Sequence, residues 1–240
     1  MRNASGVLAC LVLATLCVWN DAWSADRKSV VRFGGAYVMP TGDMTVPASF
    51  SGEDLGNGTM LAFDGTLTVE PQDAIGLTVG YEYRWSELLG LDFTLLTATS
   101  DVDGRLRGTF WINDSNTGEL IATGPLDETE EIGEVDFTPL MAGVNFHLTP
   151  KAKVDFYVAP VLAYVFYGDL DLLGQRVSLD DDFAYGAAMG VDVPAGNGRW
   201  FFSGALRYLS SEAQPDEPGF AGESLDVSPF LIQVAAGYRF

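Results

Sequence analysis

A chain of 240 residues with 33 acidic against 13 basic side chains, a net charge of −20 and 48 % hydrophobic residues combines two tendencies that a soluble acidic protein would spread over its whole surface. Here they are segregated along the chain. So acidic a chain repels polyanions, and no phosphate-cradling glycine loop precedes a helix, which sets nucleic-acid and nucleotide roles aside.

The N-terminus carries Arg2, an apolar run from Val7 to Val18 and then the small residues Ala22, Ser24 and Ala25, the pattern of a secretory signal peptide over 1–25. The run is too short for a membrane helix. Both cysteines, Cys10 and Cys17, lie inside it, so the remaining domain, 26–240, needs neither a disulfide framework nor a thiolate metal site. No later run of eighteen apolar residues exists to form a transmembrane helix.

Eight segments then alternate in hydrophobicity, at about 29–40, 74–85, 88–99, 135–147, 154–167, 183–194, 199–210 and 227–240, each near the length a tilted strand needs to cross a bilayer. In the second, Ile75, Leu77, Val79, Tyr81 and Tyr83 share one parity while Gly76, Thr78, Gly80, Glu82 and Arg84 share the other. One face suits lipid and the other an enclosed lumen. The fourth is the weak point, because Val135 and Phe137 have the opposite parity to Leu140, Ala142, Val144 and Phe146; Pro139 between them is read as a bulge or the end of regular pairing. In the last, Phe230, Ile232, Val234, Ala236, Tyr238 and Phe240 alternate with Gln233 and Arg239, and this closing strand with its terminal aromatic residue is the part that barrel-assembly machinery would read.

Connections alternate as well. Short turns fall near 86–87, 148–153 and 195–198, whereas 41–73, 100–134, 168–182 and 211–226 are long and together hold 25 Asp or Glu against 3 Arg. Trp85 and Trp200 flank short turns, as interfacial tryptophans do. An even strand number lets the first and last strands pair and removes edges that lipid cannot satisfy. The expectation is therefore an all-β, eight-stranded antiparallel transmembrane β-barrel of the bacterial outer membrane, with short periplasmic turns and long acidic extracellular loops. Its partners would include outer-membrane lipids and lipopolysaccharide.

Parity also forecasts the lumen. Arg32, Glu82, Arg84, Asp92, Asp155, Asp192, Arg207 and Arg239 point inward near the short turns, four of each sign, as an ion-paired layer with Asn145, His147 and Gln233 as hydrogen-bonding partners, since buried charges persist only when paired. Towards the loops the inward residues become apolar or small, among them Leu96, Met141, Val161, Leu209 and Leu231. This predicts a dry upper pocket over a charged floor. The competing reading is that these residues simply fill an eight-stranded barrel, which has room for side chains or one small ligand.

Val31-Arg32-Phe33-Gly34 with Val38-Met39-Pro40, Pro139-Leu140-Met141-Ala142, Tyr157-Val158-Ala159, Gly190-Val191-Asp192, and Leu225-Asp226 through Pro229 to Ala236-Gly237-Tyr238-Arg239-Phe240 together resemble the OmpW family of small outer-membrane proteins across most of the domain. The resemblance implies an eight-stranded barrel with an apolar lumen that gives small hydrophobic solutes passive passage. The acidic segment 100–134 departs from it. A charged floor would block axial passage, so a solute would leave sideways, and Pro139 and Pro160, which cannot donate to a ladder, are read as a lateral seam across the 148–153 turn.

Three other readings compete. An enzyme needs a base near a nucleophile, and the single histidine, His147, beside a short turn is read as a packing or hydrogen-bonding residue. Asp180-Asp181-Asp182 and Asp127 to Glu134 lack EF-hand spacing, so no specific metal site is assigned and no cofactor is expected. The barrel could instead be a structural or adhesive anchor whose acidic loops meet cations, lipopolysaccharide or a partner, with Phe110-Trp111-Ile112 as a lid over the mouth or a binding patch.

Overall fold

The computed structural model describes residues 29–56, 58–172, 175–196, 199–215 and 225–240; the segment read as a signal peptide lies outside them. In chain order the strands are β1 (Ser29–Pro40), β2 (Met44–Gly56), β3 (Thr59–Pro71), β4 (Ala74–Arg84), β5 (Leu89–Asp114), β6 (Leu120–His147), β7 (Asp155–Tyr167), β8 (Leu170–Leu172), β9 (Gln175–Val177), β10 (Leu179–Asp180), β11 (Asp182–Ala195), β12 (Trp200–Ser210), β13 (Glu212–Pro215), β14 (Leu225–Asp226) and β15 (Pro229–Arg239). Eight of them form a ring in the order β5-β4-β1-β15-β12-β11-β7-β6, closed by the pairing of β5 with β6. Every neighbouring pair is antiparallel, and the seam between the first and last strands runs from Val30–Arg239 to Pro40–Pro229.

The period-two pattern decides which side of each strand meets lipid. On β15, Leu231, Gln233 and Ala235 are buried while Phe230, Ile232 and Val234 are exposed. On the outside, Ile75, Leu77 and Phe183 are 81 %, 72 % and 78 % exposed, which water would penalise and hydrocarbon rewards. Aromatic clusters bound this belt. At the short-turn end Tyr238 meets Trp200 and Phe240, each at 4.9 Å; at the other end Tyr164 packs edge-on against Phe166 and Phe183 at 4.9 and 4.8 Å.

Two sequence expectations are corrected. On β6 the residues Val135, Phe137, Pro139, Met141, Asn145 and His147 all face inward, and the register with β5 is the same on either side of Pro139, from Leu95–Leu140 to Ala98–Phe137. There is no bulge at the proline. Val135 and Phe137 are apolar and inward because the lumen itself is apolar at that height; the register shift comes higher, between Val102 and Asp103. The segments 41–73 and 100–134, read as long loops, are largely strand. β2 and β3 form a hairpin, and β5 and β6, at 26 and 28 residues, are far longer than the 9–11 that a tilted crossing needs. β5 parts from β4 at Ala98 and pairs with β3 from Val102 onward, so a four-stranded sheet β2-β3-β5-β6 stands roughly 40 Å clear of the barrel at the usual rise per residue.

A charge in the middle of the belt must lie in hydrocarbon, so Leu206→Arg is expected to lower the unfolding free energy in lipid bilayers by about 2–4 kcal/mol. Glu131→Arg, on the hairpin outside the membrane, should leave the same denaturant titration unchanged.

Candidate functional site

The eight inward charges meet in one network near the short-turn end. Arg32 donates to Glu82 Oε2 at 2.6 Å, to Asp192 Oδ2 at 3.0 Å and to Asp92 Oδ1 at 3.4 Å. Arg84 reaches Glu82 Oε1 at 2.8 Å, Asp155 Oδ2 at 3.0 Å and Asp192 Oδ2 at 3.3 Å. Arg207 donates to Asp92 Oδ2 and Thr94 Oγ1, both at 3.2 Å, and Arg239 lies 3.9 Å from Asp192. These groups come from β1, β4, β5, β7, β11, β12 and β15, so the layer cross-braces the ring as well as closing it. His147 adds β6, with both ring nitrogens against carboxylates. Gln233 is engaged separately, donating to Thr78 Oγ1 at 3.0 Å, and Asn145 is buried beside the layer.

Two aromatic residues of this floor escape a reading that looks for charge. Phe201 and Tyr157 point inward, 1 % and 3 % exposed, and their rings lie 5.5 and 5.8 Å from the Arg32 guanidinium, with Phe201 also 4.8 Å from that of Arg239. Each ring fills space that a Cβ at Gly237 or Gly190 would occupy. The signal was present in parity, since Phe201 stands in the same row as Arg207 and Tyr157 in that of Asp155.

Above the floor, Leu96, Met141, Val161, Leu209 and Leu231 pack in one buried apolar cluster with the small residues Ala98, Ala159, Ala163, Ala184 and Ala188. A second cluster caps it: Met44 and Val46 of β2, Val69 of β3, Val102 of β5, Val135 of β6, Leu179 of β10, and Val227. Tyr167 touches both clusters, and its hydroxyl lies 2.6 Å from Ser211 Oγ. The cavity between them, lined by residues such as Val38, Phe137, Leu179 and Pro229, is open to the centre of a water-sized sphere over only about 10 Å³, room for about one water molecule. Of the two readings that parity left open, side chains that fill the interior describe this level of the lumen better than an open dry pocket. Phe110-Trp111-Ile112 is not its lid: these residues pair with Leu61, Ala62 and Phe63 of β3 inside the tall sheet, and the cover is the base of the β2–β3 hairpin together with Leu179 and Val227.

Pro139 and Pro160 do not share a seam. Pairing of β5 with β6 passes from Leu95–Leu140 directly to Ala98–Phe137, so Pro139 interrupts that ladder. Pairing of β6 with β7 passes from Gly143–Val161 to Phe146–Val158, so Pro160 interrupts the other. The first gap lies level with Leu96, in the apolar half, and is bridged on its outer side by Thr138 Oγ1 donating to Thr97 Oγ1 at 3.3 Å. The second lies level with Asn145, against the charged floor.

On the tall sheet, Arg105 grips Asp127 with two hydrogen bonds of 2.7 and 2.8 Å, which hold that carboxyl below its ordinary range, and Arg107 lies 3.8 Å from it. The side chains of Glu128, Glu130, Glu131 and Glu134 make no hydrogen bond or ion pair among the described residues.

No family model and no curated protein matches the chain. Solved structures do. OprG from Pseudomonas aeruginosa superposes with a TM-score of 0.58 at 17 % identity, over 89 % of this chain and 95 % of that one. AlkL, solved by solid-state NMR in lipid bilayers, gives 0.53 at 18 % identity, over 92 % and 95 %. At such identities the likeness is one of fold: this chain folds as a small bacterial outer-membrane barrel.

Arg32→Met would remove the one cation shared by Glu82, Asp92 and Asp192 and leave the layer with more carboxylates than guanidinium groups, and the unfolding free energy in lipid should fall by about 3–5 kcal/mol. Arg199→Ala, at the exposed rim, should change it by less than about 0.5 kcal/mol.

Proposed function

We propose that this barrel gives small apolar solutes passive passage from the cell surface into the outer membrane. The observation that supports it most is a continuous apolar row on the inward face. It begins far outside the bilayer with Ile112, Phe110 and the stacked pair Phe50–Phe63, whose centroids are 5.5 Å apart, descends through Leu106 and Leu67 to the cap, and ends at Met141 and Leu96 above the charged layer. A greasy solute is excluded by the polar lipopolysaccharide layer but not by such a row. The cap and upper cluster must shift to admit it, because the resting cavity is too small.

The floor turns the solute aside. Desolvating a paired ion for an apolar neighbour costs several kcal/mol per ion, by an order-of-magnitude figure of about 3–5, whereas the gap beside Pro139 lacks ladder hydrogen bonds and opens from the apolar half toward acyl chains. Pro160 faces outward and its gap adjoins polar groups, so the lateral exit is assigned to the β5–β6 seam alone, with Thr97 and Thr138 as its latch.

Cells carrying the protein should take up a radiolabelled apolar solute faster than cells without it, with no change for a hydrophilic sugar. Equal rates would instead make the barrel an anchor for the acidic hairpins. Thr97 and Thr138 flank this gap with their hydroxyl oxygens 3.3 Å apart, close enough for a cysteine pair to be introduced there. Oxidising the Thr97→Cys, Thr138→Cys double variant should slow apolar uptake, and a thiol reductant should restore it. Pro139→Val should slow uptake while Pro160→Val leaves it unaltered; an undiminished rate in the oxidised double variant would remove the lateral exit.

A further inference from the structure

Both ring nitrogens of His147 meet carboxylate oxygens. Nδ1 lies 2.9 Å from Asp155 Oδ2 and Nε2 lies 2.7 Å from Glu82 Oε1, with the side chain fully enclosed. A neutral imidazole has one N–H and one lone pair. One of these two contacts would then press a nitrogen lone pair against an oxygen at hydrogen-bond distance, 2.9 or 2.7 Å, too close for a water molecule to stand between them.

Moving the missing hydrogen to an oxygen does not relieve this. Glu82 Oε1 already accepts from Arg84 Nε at 2.8 Å, and Asp155 Oδ2 from Arg84 Nη1 at 3.0 Å. A hydrogen on either oxygen could be donated to the ring, but it would neutralise that carboxylate and reduce the bond from Arg84 from a doubly charged pair to one with a neutral acid, and charge-assisted bonds are roughly twice as strong as neutral ones. The four groups form a closed cycle in which Arg84 and His147 alternate with Glu82 and Asp155, and the cycle is satisfied when both ring nitrogens donate.

We infer that His147 is held as a doubly protonated imidazolium, and that this proton is a latch of the charged floor, tying β6 to β4 on one side and to β7 on the other. The other charged and titratable groups of the layer set the charge that this proton adds to. Tyr157 of β7 lies edgewise at 5.8 Å; behind the cycle stand Arg32 of β1, Asp92 of β5, Asp192 of β11, Arg207 of β12 and Arg239 of β15. Four guanidinium groups face four carboxylates in the layer, and the imidazolium makes a fifth cation. Loss of its proton would leave the two carboxylates joined by Arg84 alone. The inference is independent of which solute the upper lumen takes.

The chain contains one histidine, so ¹⁵N-histidine labelling reports on His147 without assignment. In the full barrel in lipid bilayers at pH 8, where a free imidazole with its ordinary value of about 6.5 is neutral, both nitrogens should show attached hydrogens. A spectrum with one unprotonated ring nitrogen would overturn the inference. Asp155→Asn keeps the size and removes one anion, and its ring should be neutral at the same pH; a ring still doubly protonated would mean the cycle is not what holds the proton. For the latch, His147→Gln offers a single donor group in place of two opposed ones, and the backbone amides of β6 at the short-turn end should exchange hydrogen several-fold faster than in the unaltered barrel. Exchange as slow as before in that variant would sink the latch, and the spectrum of the unaltered protein decides the protonation whether or not the variants fold.

Discussion

Hydrocarbon offers no partner to a peptide N–H or C=O, and each such group left bare costs several kcal/mol, about 2–7 by transfer data. Everything in this molecule follows from satisfying that demand with strands. The ring must close, which fixes β1 beside β15. Each strand must present an apolar side to lipid, which fixes the parity of all eight. The same demand gives the gap beside Pro139 its meaning, because a missing rung in lipid is a local weakness in an otherwise closed wall. A threonine pair bridges it from outside.

Closure creates a second problem inside. An interior only wide enough for side chains cannot be wet throughout, and an unpaired charge there would be prohibitive. The chain divides the lumen by height: a balanced charged layer at the short-turn end, with aromatic rings against two of its guanidinium groups, and an apolar cluster above. Small residues, chiefly alanine, occupy many of the apolar positions, while the cap above supplies larger side chains from the hairpin bases. Cap and cluster form one packed column, and Tyr167 belongs to both.

Outside the bilayer the constraint disappears and the composition changes with it. β5 and β6 run on with β2 and β3 as a sheet whose inward row is apolar along β3 and β5, through Phe63, Leu67, Leu106 and Phe110, while β6 collects carboxylates on both faces. The edge that β6 presents beyond the barrel carries Asp127, Glu128, Glu130, Glu131 and Glu134, and like charges along an open edge discourage another strand from pairing there. Negative charge concentrated on one side of the membrane also distinguishes the two ends of the barrel, since the short turns carry Lys151, Lys153 and Arg199.

The membrane-spanning segments, the ring of eight and the inward charged residues were legible in the sequence, because a membrane strand imposes a strict period of two and admits a charge only on the lumen side. Gln233 and Arg239 against Val234 and Tyr238 are enough to orient the last strand. Partner choice was not legible. That Arg84 and His147 share the same two carboxylates, that Pro139 and Pro160 break different ladders, and that Leu179 rather than Trp111 covers the mouth depend on register and on which distant strands become neighbours. Period two says which face a side chain takes; only closure of the sheet says what it finds there. The strands inside the long segments 41–73 and 100–134 were not legible for the same reason, since acidic residues hide strand alternation wherever both faces meet water, and β3 could be recognised as a strand only once β5 stood beside it.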